Sequence, residues 1–457
     1  MAKLFGTDGI RGHAGEFPLD AGTVRVLGAS LAAHLRGQLD DRAPLIVIGR
    51  DTRESGAWIE QAFSEGANGA GAECKSAGVI TTPGVAFLAR TLPADAGVVI
   101  SASHNPYQDN GVKVFSPSGK KLDDAIERLI EADIVSANNR PETSATDPRA
   151  PTAENAAASE LRARYLNFLV NEIARGLTLN KLTMVVDCAN GAASAIAPEL
   201  FTRLGAKVIA INNQPDGRNI NLDCGSLHIE GLQRKVRDER ADLGVAFDGD
   251  ADRALFVDDQ GNFVDGDATM WALSKHLNSR GKLKNGMVVA TVMSNIGLEI
   301  ALRALGVQMV RTDVGDKYVL EELLRTKATL GGEQSGHLIF PELSLAGDGM
   351  ITTLCLLRAM AEDGNSKLDA LTEGFERYPQ ILVNIRVTDK KPFDKMEKVR
   401  IIAREIEAQL VERGRLLLRY SGTESLARVM IEGQNQKEVE AYANRLAAAI
   451  KEEIGSD

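Results

Sequence analysis

Cysteine is scarce in this chain: Cys74, Cys188, Cys224 and Cys355 are the only four in 457 residues, and no two form a C-x-x-C pair. Such scattered thiols offer no disulfide framework and suit the reduced cysteines of an intracellular protein. Long apolar runs are missing too, since no stretch approaches the roughly twenty residues that span a membrane. The amino terminus, Met1-Ala2-Lys3-Leu4-Phe5-Gly6, passes straight into glycines and charges without the apolar centre of a signal peptide. Nor is there a basic excess. The formal net charge of -10 argues against a nucleic-acid or anionic-membrane partner, though a locally basic cleft can still take an anionic substrate. The expectation is a cytoplasmic monomer or homodimer that acts on a small molecule.

Several catalytic signatures are absent as well. There is no G-x-x-x-x-G-K-[ST] loop, no protein-kinase set and no G-x-S-x-G elbow. The nearest approach to a dinucleotide fingerprint, Gly69-Ala70-Gly71, precedes a strand instead of opening a helix. Nucleotide-dependent kinases, dehydrogenases and serine hydrolases lose ground accordingly.

What is present describes a multidomain globular enzyme. Hydrophobic residues make up 44% and charged residues 25% of the chain, and the length suits about three or four domains. Leu45-Ile46-Val47-Ile48, Thr183-Met184-Val185-Val186 and Met287-Val288-Val289-Ala290 each lead through a polar, glycine-containing loop into a helical pattern, a glycine stop and a second strand. Three such β-α-β units imply three α/β domains on one plan, with mixed or parallel sheets. Tyr378-Pro379 precedes the alternating strand Ile381–Val387, after which the tail reads helix, strand, Ser-Gly turn, strand, helix, an α+β pattern. The Ser-, Pro- and Ala-rich stretch 136–159 reads as an exposed loop closing the first unit.

Four stretches carry chemistry. The run Gly97-Val98-Val99-Ile100 reads as a buried strand ending at Ser101-Ala102-Ser103-His104-Asn105-Pro106. It presents the Ser103 hydroxyl at a strand's carboxyl end, where α/β proteins place their sites, with His104 and Asn105 able to donate hydrogen bonds. The bland alternative is a polar turn. Asp248-Gly249-Asp250-Ala251-Asp252-Arg253 follows the strand Leu243–Phe247, and three carboxylates at alternate positions of an extended loop converge on one side, where a hard divalent ion offsets their repulsion. Arg253 and Asp259 stand where an EF-hand needs glycine and glutamate, so that reading is excluded. Arg419-Tyr420-Ser421-Gly422-Thr423-Glu424, flanked by strands and by Arg428, combines hydroxyls, a glycine turn and guanidinium groups suited to a phosphate, or else is a hairpin turn with incidental hydroxyls. Gly331-Gly332-Glu333-Gln334-Ser335-Gly336-His337 offers Glu333 and Ser335 as alternating side chains on an extended loop, suited to sugar hydroxyls or an amine. Arg11 lies among glycines in Phe5–Gly12, where it can reach an anion. A lone strand lysine such as Lys113 is commonly a solvated edge residue.

In their order along the whole chain, these nucleophile, metal, sugar and phosphate loops resemble the α-D-phosphohexomutase family. The stretches FGTDGIRG, GEQSGH and RYSGTE are most similar to the bacterial branch that acts on glucosamine phosphates, chiefly through Gln334. The resemblance implies an intramolecular phosphotransferase that interconverts glucosamine 6-phosphate and glucosamine 1-phosphate through an enzyme phosphoserine and a 1,6-bisphosphate, supplying UDP-N-acetylglucosamine and the cell wall. A phosphomannomutase or phosphoglucomutase of the same fold is the alternative. By resemblance, Ser103 is the phosphoserine and a ligand, with Asp248, Asp250 and Asp252, of one magnesium ion, and glucosamine or glucose 1,6-bisphosphate is the activator. Glu333 and Ser335 take the sugar hydroxyls. Arg419, Ser421, Gly422 and Thr423 take the phosphate that is not in transfer, with Arg428 and Arg253 as further substrate contacts. Lys113, Arg11, His104 and His337 are the candidates for proton handling and charge stabilisation. The implied fold is three α/β units with mixed sheets around a central cleft plus a carboxyl-terminal α+β domain: 1–155 with the phosphoserine loop, 156–256 with the metal loop, 257–374 with the sugar loop and 375–457 with the phosphate loop. Ser425 departs from the family's usual proline, which puts the stiffness of the last loop in doubt.

Overall fold

The computed structural model describes residues 4–6, 8–39, 42–138, 156–364, 367–421 and 425–455. The chain divides into two compact units, Met1–Val292 with Val310–Glu373, and Met293–Met309 with Gly374–Asp457.

The first unit is built on three mixed sheets. In the first, the strands run in the order Phe5–Gly6, Gly9–His13, Asp109–Phe115, Ala96–Ile100, Leu45–Arg50, Glu73–Val79. Leu45–Arg50 pairs in parallel with both Ala96–Ile100 and Glu73–Val79, whereas Asp109–Phe115 and Gly9–His13 run antiparallel. Every residue of Ala96–Ile100 is buried. That continuous apolar run is the mark of a strand covered on both faces. The second sheet runs Phe263–Val264, Ala254–Asp258, Leu243–Phe247, Thr183–Asp187, Lys207–Ile211, and the third Gln308–Thr312, Met287–Thr291, Gly331–Gly332, Leu338–Ile339. All three are mixed, as the β-α-β repeat implies. One boundary differs from expectation. Position 256 falls inside Ala254–Asp258, whose Phe256 and Val257 pair with Val264 and Phe263, so the second sheet runs on past it. A cut there would strip a central strand of its partner, which composition alone does not reveal.

The second unit carries a three-stranded antiparallel sheet in the order Gln380–Arg386, Leu426–Gly433, Gly414–Tyr420, with the helices Glu397–Leu410 and Gln436–Ile454. Asn295 caps the helix Ile296–Ala304 through Gly297 N, and its amide exchanges two hydrogen bonds, of 2.9 and 3.0 Å, with the backbone of Tyr378.

Local chemistry sets the helix starts. Asp20, Thr81, Asp265 and Asp348 each accept a backbone N–H in the first turn of the helix that follows. Close approach governs the pairing of Ala21–Arg36 with Gly56–Gly69: a methyl group on Gly28 would meet Phe63 O at 2.1 Å, and one on Gly66 would meet Arg25 O at 1.9 Å. Gly28→Ala is therefore expected to destabilise the protein by about 1–3 kcal/mol. Gly231→Ala, in a helix with open space around it, should instead raise stability by up to about 1 kcal/mol. Thermal midpoints of the two variants test this contrast.

Asp348 is a cap of a second kind. It accepts Met350 N and Ile351 N at one oxygen and the Tyr165 hydroxyl, at 2.7 Å, at the other. Burial pushes its carboxyl up to about 6 against those hydrogen bonds. A folded-state value above the ordinary 3.8 means that ionisation opposes folding, so stability falls as pH rises from 3.8 to about 6 and then levels off. Asp348→Asn keeps an oxygen for the cap and should flatten that part of the stability curve by up to about 3 kcal/mol. Denaturant unfolding of both proteins at pH 4, 5, 6 and 7 would show it, and parallel curves would refute it.

Candidate active site

Ser103 stands three residues beyond the strand Ala96–Ile100, buried and with φ of 53°. Its Oγ donates to Asp248 Oδ2 at 2.5 Å and lies 3.2 Å from His104 Nδ1. Asn105 does not serve Ser103 as expected, because its amide donates to Asp109 Oδ2 and its oxygen faces Arg11.

Asp248, Asp250 and Asp252 are all buried, and each offers an oxygen within 4.8 Å of the others. The backbone does this differently from the expected extended loop. On an extended strand the first and last of three alternate residues stand about 13 Å apart, too far to share one small ion. Instead Ala251 N bonds to Asp248 O and Ala251 takes φ of 57°, folding the segment into a turn. The sugar loop also turns, with Gly336 N on Glu333 O and Gly336 at φ 90°. Ser335 Oγ donates to Glu333 Oε2 at 3.4 Å, so the expected pair meets by a turn and not by alternation.

Cations from other strands offset the carboxylates. Lys113, on the interior strand Asp109–Phe115, is only 1% exposed, which overturns the edge-residue reading. Its Nζ lies 2.9 Å from Asp250, 3.0 Å from Asp8 and 3.7 Å from Asp252. Burial alone would strip its proton, yet Asp250 and Asp8 raise its pKa. His337 Nδ1 stands 3.5 Å from Asp252 Oδ1, and although burial opposes charging, Asp252 and Asp316 push the ring up to about 9. Asp252 in turn is lowered, since His337 and Lys113 outweigh its burial. Asp248 moves the other way: burial first, then Asp252 and Asp250, raise it far above the carboxylate range. Burial together with Arg253 and Arg11 lowers His104 to about 4, leaving a neutral imidazole.

A cavity of about 470 Å³ beside this cluster is lined by Asp8, Arg11, Asp252, Arg253, Glu333 and His337, among others. Arg11 pairs with Asp8 and reaches Ala102 O at 3.3 Å, and Arg253 N donates to Asp248 Oδ1. Thus one unit gathers Ser103, His104, Arg11, Lys113, the three aspartates, Arg253, Glu333, Ser335 and His337. Arg419, Ser421 and Arg428 lie in the other unit, on or beside the antiparallel strands: Arg419 pairs with Arg428 in register, and Ser421 N donates to Leu426 O at 2.8 Å. Gly422 and Thr423 fall outside the described residues.

Sequence reasoning left several site groups without a role. Asp8 sits between Lys113, Lys121 and Arg11, whose charges hold it well below the carboxylate range despite its burial. Lys121 bridges Asp8 and Asp316, and Thr82 Oγ1 donates to Asp250 Oδ2 at 2.6 Å. Asp51, Arg53, Ser101 and Asn221 surround the Ser103 backbone. Asp8, Asp51 and Arg53 could be noticed as charges in glycine-rich or strand-end loops; Asn221, in a loop of many asparagines, carries no signal.

The donor set suits a hard cation. Three buried carboxylates converge, Asp250 Oδ1 has no hydrogen-bond partner among the described residues, and burial with the two neighbouring aspartates opposes ionisation of Asp248.

Comparison with known proteins agrees along the length of the chain. The phosphoglucomutase/phosphomannomutase alpha/beta/alpha domains I, II and III match residues 2–141, 163–261 and 265–378, and the C-terminal domain of the same family matches 382–449. A phosphoglucosamine mutase of Solibacter usitatus is 50% identical over 456 residues, covering 100% of both chains. One of Psychrobacter cryohalolentis is 46% identical, covering 99% of this chain and 100% of its own. Among solved structures, a phosphoglucomutase/phosphomannomutase family protein of Burkholderia thailandensis superposes with a TM-score of 0.79 at 24% identity, covering 98% of this chain and 97% of its own. The N-acetylphosphoglucosamine mutase of Aspergillus fumigatus, solved with GlcNAc-6P and magnesium, gives 0.60 at 19% identity over 98% and 95% of the two chains.

Charge balance at the triplet makes a test. Lys113→Met leaves buried carboxylates uncompensated and should cost about 3–5 kcal/mol in the presence of a chelator, with magnesium restoring part of the loss. Asp248→Asn, replacing the carboxyl whose ionisation burial and the two neighbouring aspartates oppose, should change metal-free stability by less than about 1 kcal/mol while abolishing the stabilisation by magnesium. Thermal midpoints with chelator and with magnesium decide both.

Proposed function

The chain belongs to the phosphoglucomutase/phosphomannomutase family, the α-D-phosphohexomutases, and on that premise we propose that it works in the cytoplasm as a phosphoglucosamine mutase. It is an intramolecular phosphotransferase that interconverts glucosamine 6-phosphate and glucosamine 1-phosphate, by its full-length likeness to the curated mutases. The observation that carries the mechanism is the Ser103 hydroxyl, 2.5 Å from Asp248 in the carboxylate triplet.

In this reading phosphorylated Ser103 gives its phosphoryl group to the free hydroxyl of the sugar phosphate. The serine Oγ–phosphorus bond breaks, a sugar oxygen–phosphorus bond forms, and the hydroxyl proton ends on Ser103 Oγ. The resulting 1,6-bisphosphate turns end for end and returns its other phosphoryl group to Ser103 in the reverse sense. Glucosamine or glucose 1,6-bisphosphate serves as activator by phosphorylating an unloaded Ser103. Asp248, Asp250, Asp252 and a Ser103 phosphate oxygen would hold magnesium, which when bound neutralises phosphoryl charge.

The chain's own groups divide the remaining work. Lys113 and His337 stay protonated at neutral pH because carboxylates face them, so they supply charge and not a base. His104, neutral and 3.2 Å from Ser103 Oγ, is the group suited to accept a proton. Arg11 and Arg253 line the cavity with Glu333, which with Ser335 takes the sugar hydroxyls. Arg419, Ser421, Gly422, Thr423 and Arg428 take the phosphate that is not in transfer. Phosphoryl transfer needs positioning and charge more than covalent help.

Ser103→Ala should lower mutase turnover by at least ~10³-fold and remove the single phosphoryl group that intact-mass and peptide mapping place on the parent protein. Turnover near that of the parent would overturn the mechanism. Faster turnover of glucose or mannose phosphates than of glucosamine phosphates would reassign the substrate.

A further inference from the structure

We propose that Arg53 and Asn221 are positioning residues for the phosphoryl carrier: together they clamp the backbone carbonyls of Ser103 and Asn105 and so fix the direction in which the Ser103 side chain points. The proposal rests on the reading of Ser103 as the phosphoserine.

Ser103 has φ of 53°, the left-handed region that a residue with a Cβ rarely adopts. Something must hold it there, and both of its backbone polar groups are engaged. On the N–H side, Ser103 N donates to Ser101 Oγ at 2.9 Å, and Ser101 Oγ donates to Asp51 Oδ2 at 2.6 Å. On the carbonyl side, Arg53 Nη2 donates to Ser103 O at 2.9 Å and to Asn105 O at 2.8 Å. Asn221 Nδ2 donates to the same two oxygens, at 2.9 and 3.1 Å. Two nitrogens thus grip one pair of carbonyls from opposite parts of the chain: Arg53 follows the first-sheet strand Leu45–Arg50, and Asn221 belongs to the segment between the strands Lys207–Ile211 and Leu243–Phe247 of the second sheet.

Each arm is itself anchored. The Arg53 side chain is fully buried, its Nε 3.3 Å from Asp51 Oδ2, and its backbone N donates to Asp51 Oδ1 at 3.0 Å. Asn221 N donates to Ala189 O at 2.9 Å. Asn221 also has φ of 58°, so its own backbone is set in a conformation that few other side chains tolerate.

The clamp reaches the metal loop as well. A methyl group on Gly249, between Asp248 and Asp250, would meet Ser103 O at 2.5 Å and Asn221 Nδ2 at 2.9 Å. The carbonyl that the clamp holds is therefore the surface against which the carboxylate turn packs. Holding it fixes the register between the Ser103 hydroxyl and Asp248. It also keeps two carbonyl dipoles turned toward donors, and away from the oxygens of a phosphate that they would repel.

The test uses the full-length phosphorylated protein. Asn221→Gly tolerates the backbone angle and deletes both bonds; Asn221→Asp keeps the shape and sets a carboxylate against the two carbonyls; Arg53→Lys keeps the charge but not the fork. Steady-state kinetics, the 31P resonance of the phosphoserine and the half-life of that phosphate in water are read for each. The expectation is a kcat lowered by about 10- to 100-fold with KM changed by less than about twofold, a shifted or broadened resonance, and faster loss of phosphate. A folded Asn221→Gly protein with parental kcat, resonance and half-life overturns the proposal. Where a variant lowers the thermal midpoint, resonance and half-life still decide, because a smaller folded fraction scales the signal without moving either. Failure of the phosphoserine reading looks different: phosphate would then be absent from Ser103 in the parent protein itself.

Discussion

Three carboxylates buried within 4.8 Å of one another repel strongly, and the first unit is organised around making that repulsion tolerable. The aspartates come from the loop after Leu243–Phe247, Lys113 from a strand of the first sheet, and His337 from beside the third. Charges carried by three sheets thus meet in one cluster. Asp8, Lys121 and Asp316 extend the alternation outward. A buried ion pair adds little net stability but is costly to leave half-made, so the cluster ties the register of three sheets to one another more than it strengthens any of them. The same electrostatic logic suits a small hard cation, because burial and the other two aspartates oppose ionisation of Asp248.

Much of this was legible in the sequence, for reasons that can be named. Ala96–Ile100 is wholly buried, and an apolar run without alternation says so. The DGDADR segment stands out because dense acid after an apolar strand is unusual. Other features depend on pairings that no local pattern encodes. Lys113 looks like an edge residue until Gly9–His13 is seen to pair outside it and Ala96–Ile100 inside. Position 256 looks like a domain seam until Phe263–Val264 is seen to extend the second sheet. The convergence of the three aspartates was expected for the wrong geometric reason: alternation on an extended loop spreads carboxylates apart, and a turn through a left-handed alanine brings them together.

Left-handed backbone marks helix ends such as Arg240 and Lys327, and it also recurs beside the site. Ser103, Ala189, Asn190, Asn221 and Ala251 all hold positive φ without being glycine, and hydrogen bonds join them: Asn221 N to Ala189 O, Asn221 Nδ2 to Ser103 O, and Ala251 N to Asp248 O. Such conformations persist only where surrounding structure over-determines them, and they cluster where geometry serves function. Here they cluster at the points where the nucleophile loop, the metal loop and the 212–223 segment touch. In the proposed mechanism, a hydroxyl that must receive a phosphoryl group as readily as it gives one gains from such rigidity, because the same direction serves both half-reactions.

That reversibility also explains the division between charged and neutral groups. Lys113 and His337 are pushed toward the protonated form by the carboxylates around them, so in the proposed mechanism they supply positive charge in both half-reactions. In the proposed mechanism, a base strong enough to deprotonate a sugar hydroxyl outright would also activate water against the phosphoserine. His104, lowered to about 4 by burial and two arginines, is too weak for either. In the proposed mechanism it would take a proton only as the transfer itself makes one available, which suffices for a loose phosphoryl transition state in which little proton movement precedes bond cleavage.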